Sequence, residues 1–189
     1  MSDIQSRRGV RRGSVVRSLF AVSALAACAA VLAAAFPAGA AADDADVLRE
    51  ARDRAEIEAL MWRYVRALDS FDEDAYAAVF TEDGRFGAGE NATQGRDALR
   101  QMVAGLEQAR AEREAEGQAP APMYHVITNS HVEFLGEDRA RYHSYWMTVF
   151  GPAEQGATPR VAAAGRGVDE LVRVDGQWLI ESRNVAPQD

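Results

Sequence analysis

The 189-residue sequence has no lysine, a single cysteine and only three histidines. One cysteine excludes an intramolecular disulfide framework and a zinc site built from several thiolates. The 21 basic residues, all arginine, are outnumbered by 29 acidic residues, so the formal net charge is −8. This balance argues against nucleic acid as a partner, because phosphate binding needs a basic face. The 48% hydrophobic content indicates a folded domain rather than a disordered chain.

Several catalytic and nucleotide-binding motifs are also missing. The sequence contains no glycine-rich phosphate loop, no pair of histidines spaced for zinc on a helix, and no nucleophile elbow. The glycines of residues 165–167 lie within a predicted strand and do not open a helix, which is unlike a nucleotide loop. We therefore predict neither a metal nor an organic cofactor.

Residues 1–42 are predicted to be a signal peptide, which leaves residues 43–189 as the mature domain. Arginines are frequent in residues 1–18, residues 19–36 carry no charge, and small residues follow. This order is typical of a secretory signal and predicts cleavage near residues 40–42. We therefore expect an exported protein, either periplasmic or secreted.

Three alternatives for this leader stay open. Its two arginine pairs are compatible with the twin-arginine export route. The segment ending at Cys28 is similar to a lipobox, which would make the protein a lipoprotein. An uncleaved anchor is the third alternative, because the uncharged run is just long enough to span a bilayer. In the last two cases the protein contacts a membrane through this segment alone.

The mature domain changes from helical to strand periodicity along its length. Apolar residues between Ile57 and Leu68 recur at helical spacing, and Asp72 is placed to cap a second helix that includes Phe80. Predicted helices cover residues 44–69, a short segment after 72, and 96 to about 116; predicted strands cover 85–88, 124–135, 139–150, 160–174 and 177–185. This order predicts an α+β fold, with three N-terminal helices packed on a curved antiparallel sheet of about four long strands.

Three residues are candidates for acid–base chemistry: Asp69, His125 and His143. Asp69 ends the first helix, from which its carboxylate can lean toward the sheet. Counting along the predicted hairpin places the two histidines about 10 Å apart, on two sides of a pocket, unless a bulge intervenes. A carboxylate bonded to an imidazole fixes its tautomer. The alternative is structural: an aspartate that ends a helix, and histidines hydrogen-bonded in the core or at its rim.

The aromatic residues Trp62, Tyr76, Phe86 and Tyr145 could line an apolar pocket, although core packing would explain many aromatic positions equally well. Asp169 and Arg166 lie on one predicted strand, and a cross-strand ion pair would explain both of them structurally.

The mature chain resembles the SnoaL-like group of the nuclear-transport-factor-2-like superfamily. The resemblance spans about residues 48–185 and rests on the order and spacing of several segments: Tyr64–Asp72, Phe80–Gly84, Gly95–Leu99, His125 with Asn129, Tyr142–Trp146, Gly165–Arg173 and Val174–Ile180. It implies a cone-shaped fold that encloses one pocket for a small-molecule ligand. It also implies a homodimer formed through the outer face of the sheet.

Within that superfamily the pattern is similar to scytalone dehydratase. The resemblance implies that Asp69 orients His143, that His125 is the general base, and that His143 is the acid or polarises a carbonyl. It places Asp169 near a pocket asparagine of that family and makes Asn129 a substrate-binding residue. Two tyrosines that hold the catalytic water there would fall near Leu68 and Ala88, so both are missing here.

Two functions therefore remain. One is a cofactor-independent acid–base enzyme of the lyase, isomerase or hydrolase class that acts on a small apolar cyclic substrate. The other is a non-catalytic ligand-binding or accessory domain of the same fold. A distance below about 4 Å between Asp69 and an imidazole within one pocket would favour the enzyme.

Overall fold

The structure is a computed structural model that describes residues 38–152, 156 and 158–186, with side chains from residue 44 onward. The predicted signal peptide up to residue 37, with Cys28, lies outside the described residues. The chain divides into two units, residues 1–50 and 51–189, and the site described below lies entirely in the second. No helix within the described ranges is long and apolar enough to span a membrane.

Within the described residues, three helices precede the long strands, as predicted. Helix α1 covers Ala38–Asp69, α2 covers Glu73–Ala78 and α3 covers Arg96–Ala115. Helix α1 begins six residues before its predicted start and therefore includes the predicted cleavage positions. Asp72 caps α2 by accepting a hydrogen bond from the Ala75 N–H at 2.9 Å. Phe80 was expected inside this helix but instead begins the first strand, since α2 ends at Ala78.

Six strands form a single mixed sheet. They are β1 (Phe80–Phe86), β2 (Thr93–Gln94), β3 (Met123–Phe134), β4 (Arg139–Phe150), β5 (Arg160–Val174) and β6 (Gln177–Asn184), in the spatial order β2-β1-β6-β5-β4-β3. The four long strands β3–β6 are antiparallel to one another, whereas β1 pairs with β6 in parallel. The α+β prediction is confirmed, with a short parallel strand added to the predicted sheet.

Two irregularities change which side chains face the helices. In β3 the register shifts between Thr128 and His131, where Asn129 adopts a φ of +50°. Ile127 packs against the core before this bulge, and Val132 does so after it. In β6 the register against β5 shifts as well, so the buried side chains after Ile180 resume at Arg183 rather than at Ser182.

The core lies between the helices and the inner face of the sheet. Ile57, Leu60 and Tyr64 of α1 are buried there with Trp178 and Ile180 of β6. Helical spacing in α1 thus produces one continuous apolar stripe that covers the sheet.

A buried carboxylate also ties α1 to the sheet. Asp53, 1% exposed, accepts hydrogen bonds from Arg173 Nη2 at 2.5 Å and Trp178 Nε1 at 3.4 Å. The guanidinium of Arg173 in turn lies 4.5 Å from the Trp178 ring centroid. These contacts fix the position of α1 and therefore of its C-terminal end.

Candidate functional site

A cavity of about 200 Å³ lies between α1 and the inner face of the sheet. Its walls are mostly apolar and include Tyr64, Leu68, Phe86, Ile127, Trp146, Thr148, Ala163 and Val185. Two strongly polar side chains, His125 and Arg183, also line it. An apolar enclosure with a few placed polar groups is the usual form of a small-molecule site.

The end of helix α1 positions Asp69. Phe71 adopts a left-handed φ of +56°, and the Asp72 N–H donates back to the Ala67 carbonyl at 2.9 Å. The Phe71 N–H donates to the Leu68 carbonyl at 3.3 Å. This pattern is a Schellman termination, in which the last helical carbonyls find donors and the chain reverses. Asp69 is thereby held on the last turn, pointing toward β3.

Asp69 binds His125 through two hydrogen bonds. Its Oδ1 accepts from the Nδ1 of His125 at 2.8 Å and from the His125 backbone N–H at 2.9 Å. Both side chains are largely buried, with 13% of Asp69 and 19% of His125 exposed. Because an ionised carboxylate only accepts hydrogen bonds, Nδ1 carries a hydrogen, and in the neutral ring Nε2 then has the unshared electron pair. The dyad thus holds the imidazole in the tautomer whose basic nitrogen is Nε2.

Arg183 and Asp169 form a buried ion pair beside the cavity. Their side chains are 2% and 0% exposed, and Arg183 Nη1 donates to Asp169 Oδ2. The Arg183 guanidinium lies 4.2 Å from the Tyr64 ring centroid. Burial raises the pKa of Asp169 to about 7; the Arg183 charge opposes this rise and Glu170 adds to it. This is a cross-strand ion pair of the kind expected for Asp169, with Arg183 as its register partner.

His143 does not belong to this cavity. Its Nε2 lies 3.4 Å from Glu133 Oε2, and its ring centroid is 6.1 Å from that of His131, its register partner. The predicted pairing of Asp69 with His143 is therefore incorrect, since Asp69 binds His125. The β3 bulge explains the difference: His125 lies on the inner face, whereas His131 beyond the bulge lies with His143 on the outer face.

The other predicted binding residues divide between several environments. Phe86 lines the cavity. Tyr76 is fully buried in the core, 5.3 Å from Tyr64 between ring centroids. Trp62 is 66% exposed and lines an adjoining groove that shares His125 and Ile127 with the cavity. Asn129 is the exposed bulge residue, and Tyr145 is 51% exposed on the outer face. The last three therefore lie outside the cavity.

The sequence pattern does not predict that Arg183 faces the cavity. A regular antiparallel register that starts from the Val174–Gln177 pair would place Ser182 opposite Asp169. The register shift in β6 makes Arg183 the partner instead. Strict alternation from Trp178 and Ile180 likewise predicts an outward Arg183. The inward orientation of Arg183 can be predicted only if the position of the register shift is known. No turn residue or glycine in the sequence marks that position. Among the described residues, no group of three or more metal-ligating side chains is placed to hold a metal ion.

Comparison with known proteins agrees with this architecture. The model of the SnoaL-like domain family matches residues 49–184. No curated protein sequence matches the chain significantly.

Solved structures of similar fold are numerous. Rv3472 of Mycobacterium tuberculosis, of unknown function, is 27% identical with a TM-score of 0.61, over 75% of each chain. An NTF2-like protein with a cystatin-like fold from Novosphingobium aromaticivorans is 24% identical with a TM-score of 0.62, over 77% of this chain and 88% of that one. A candidate scytalone dehydratase from the same organism is 24% identical with a TM-score of 0.58, over 73% and 85%. The family match, the helix-covered curved sheet and the enclosed cavity together show that this chain belongs to the SnoaL-like domain family.

Proposed function

We propose that this protein is an acid–base enzyme that acts on a small, largely apolar cyclic substrate bound in the cavity. The observation that carries the proposal is the Asp69–His125 pair at the cavity wall, joined at 2.8 Å. The carboxylate fixes the ring tautomer in which the second nitrogen, Nε2, is the base.

His125 Nε2 is the group that takes a proton from the substrate or from a bound water. The imidazolium that forms is stabilised by the Asp69 carboxylate through Nδ1–H. Leu68, Ile127 and the other apolar walls make the surroundings of the dyad less polar than water, which strengthens these electrostatic interactions. A positioned general base of this kind contributes about 10²–10⁴-fold to a rate.

The size and walls of the cavity support the substrate class. An apolar cavity of about 150 Å³ can hold a benzene ring. The cavity here is somewhat larger, about 200 Å³, and its lining includes the aromatic side chains Tyr64, Phe86 and Trp146. A compact cyclic compound with one or two oxygen substituents fits both the volume and the lining.

Membership of the SnoaL-like family supports chemistry of the lyase, isomerase or hydrolase class. One structural neighbour is a candidate scytalone dehydratase, but at 24% identity this likeness concerns the fold. Leu68 and Ala88 occupy the positions near which that enzyme family has water-holding tyrosines. The proposal is therefore a base-catalysed proton transfer, without a commitment to dehydration.

The test is a turnover screen with the purified full-length protein. Enolisable cyclic ketones, β-hydroxy ketones and cyclic epoxides represent the three reaction classes, and deuterium exchange next to a carbonyl reports proton abstraction directly. His125→Ala should lower the rate by about 10²–10⁴-fold. His143→Ala is the matched control on the outer face and should keep the wild-type rate. Equal rates for wild type and His125→Ala, or binding without any turnover, would favour the non-catalytic ligand-binding domain.

We also propose that the protein is exported by means of residues 1–42. The support is the charge and hydropathy pattern of this segment. N-terminal sequencing of the protein recovered from its native host should give a chain that begins near residue 41 or 43. A metabolically labelled fatty acid, lost in Cys28→Ser, would instead show a lipoprotein. An intact N-terminus in the cytoplasmic fraction would contradict export.

A further inference from the structure

Arg183 is a charged residue in the wall of a cavity that is otherwise mostly apolar. Its side chain is only 2% exposed, yet it lines the same space as His125. A buried guanidinium is costly unless its charge and its donors are matched. Such an arginine is a stronger candidate for ligand recognition than a surface arginine, because its guanidinium was already removed from water when the protein folded.

Its protein partners, Asp169 and the Tyr64 side chain, satisfy it incompletely. A guanidinium has five N–H donors and can bind a carboxylate through two parallel hydrogen bonds. Here the pair is joined through Nη1 and Oδ2, while Arg183 Nε and Asp169 Oδ1 are buried without a hydrogen-bond partner among the described residues. The pair therefore retains unused capacity for a further polar group in the cavity.

From these observations we infer that the cavity is selective for ligands with an ionised oxygen, such as an enolate or a carboxylate, and that Arg183 binds this oxygen. The inference rests on the proposed function in one respect, namely that this cavity is the substrate site. It adds a class of substrate and a second polar contact to the base already described.

The charges around the pair support an anionic ligand. Tyr64 of α1, Tyr76 of α2 and Tyr142 of β4 surround Arg183 and Asp169, and Glu170 is the remaining charged neighbour of Asp169. Burial raises the pKa of Asp169 to about 7, so near neutral pH this carboxyl readily takes up a proton. When Asp169 is protonated, Arg183 is a buried cation without its counter-ion. An ionised oxygen of the ligand can then take the place of the Asp169 carboxylate.

The same contact fits base catalysis. When His125 Nε2 removes a proton next to a carbonyl, the C–H bond breaks and its electron pair forms the C=C bond of an enolate. The carbonyl electron pair moves to oxygen, which becomes the anion. A positioned guanidinium stabilises that developing charge without having to reorganise. Arg183 would thus bind an acidic ligand in the ground state and an enolate oxygen during reaction.

The experiment compares anionic probes with neutral probes of matched shape. Benzoate is paired with benzamide, and the enolate of cyclohexane-1,3-dione with 3-methoxycyclohex-2-en-1-one, each titrated into the full-length protein and followed by NMR and calorimetry. Wild type should bind each anion at least about 10-fold more tightly than its neutral partner. Titrations in buffers of different ionisation enthalpy should show proton uptake on anion binding, as Asp169 becomes protonated.

Two variants separate recognition from a structural ion pair. Asp169→Asn leaves the Arg183 charge without its competitor, so anion binding should tighten by about 3–10-fold and the proton uptake should disappear. The double variant Asp169→Asn/Arg183→Met removes both charges together and should abolish the preference for anions. Arg85→Met, at an exposed arginine of β1, is the control and should leave the preference unchanged.

Equal affinity for the charged and neutral probes, or unchanged anion binding in Asp169→Asn, would overturn the inference. His125→Ala distinguishes it from the proposed function. This variant should lose turnover and keep the anion preference. If it keeps both, the acid–base proposal fails while anion recognition stands; if wild type turns over substrate without any anion preference, only the present inference fails.

Discussion

At the scale of single residues, Asp69 is the hydrogen-bond partner that orients the proposed base, His125. Its Oδ1 receives both the ring and backbone N–H of His125. Asp69 touches the histidine rather than the cavity contents, so it is a positioning residue. Asp69 therefore affects the reaction only by fixing the tautomer and orientation of the His125 ring.

Replacing Asp69 with asparagine tests this role. The amide of Asp69→Asn can donate to Nδ1, which stabilises the wrong tautomer, so the rate should fall by about 10²-fold or more. Nitrogen chemical shifts of the His125 ring should show the hydrogen moving from Nδ1 to Nε2, while circular dichroism stays native. Asp83→Asn, at an exposed carboxylate of β1, is the control. An unchanged ring spectrum with an unchanged rate would remove the dyad from the mechanism.

Asp169 makes stability depend on pH in a defined direction. Its pKa in the folded protein is raised to about 7 from the ordinary 3.8, so the folded state binds the proton more tightly than the unfolded state. The contribution of this group to stability is therefore greatest below the unfolded value and declines as pH rises through about 7. Chemical denaturation between about pH 5 and about pH 8 should show a smaller loss of stability in Asp169→Asn than in wild type. Parallel pH profiles for the two proteins would contradict this.

The sequence indicated Asp69 and His125 as candidates but did not predict that they bind each other. Their types and positions near element ends indicated acid–base chemistry. Their pairing depends on the bulge at Asn129, and the role of Arg183 depends on a second shift in β6. One inserted residue reverses every inward and outward assignment beyond it, and no local signal in this sequence announces either irregularity.

At the scale of elements, the strands were the most predictable part. The bounds of β4 and β5 agree with the predicted ones, because both are long, alternating and rich in β-formers between clear turn signals. The β1 strand was predicted too short and its parallel pairing with β6 was not predicted. Parallel pairing has no hairpin signal, because its partner is distant in sequence.

Close packing between β4 and β5 controls one cavity wall. A Cβ added at Gly165 would lie 2.9 Å from Cζ2 of the Trp146 ring. That ring is also held by a hydrogen bond from Nε1 to the Val185 carbonyl at 2.9 Å. Gly165→Ala should therefore displace Trp146, lower stability by about 1–3 kcal/mol and weaken probe binding in the cavity. Trp146 fluorescence and thermal unfolding measure both effects, with Gly105→Ala in α3, where a Cβ meets open space, as control. Wild-type stability and fluorescence in Gly165→Ala would show that Trp146 can move aside without cost.

The attachment of α1 to the sheet should be equally sensitive. Asp53 accepts from Arg173 and Trp178 at a fully buried position. Asp53→Ala leaves these donors without their acceptor and should cost about 2–4 kcal/mol in the free energy of unfolding. Urea denaturation measures this cost, and Asp44→Ala, at an exposed position early in α1, should cost less than about 0.5 kcal/mol. A loss below about 1 kcal/mol for Asp53→Ala would mean that the apolar stripe alone holds the helix.

At the scale of the whole molecule, the outer face of the sheet is the surface on which we propose homodimerisation. It carries a row of cross-strand ion pairs, Glu133–Arg141 at 3.4 Å and Arg141–Glu170 at 2.8 Å, beside the exposed Tyr145. Aromatic and arginine side chains are enriched in such interfaces.

Sedimentation of the full-length protein tests this surface. Wild type should sediment as a dimer, and Tyr145→Arg should shift the mass toward the monomer by adding an unpaired charge to the contact. Leu106→Arg, an equally drastic change on the exposed side of α3, should keep the dimer. A monomeric wild type, or a dimer that is disrupted only by Leu106→Arg, would exclude the sheet face.

The bulge at Asn129 has a further consequence, since β3 is the last strand of the described sheet. A terminal strand exposes a row of backbone groups on which a foreign chain can assemble. Here Asp69 occupies the His125 amide, Arg54 Nη1 donates to the Val132 carbonyl at 3.0 Å, and the kinked backbone breaks the row between them. The hydrogen bonds that orient the His125 imidazole therefore also protect this edge of the sheet from fibril-like growth.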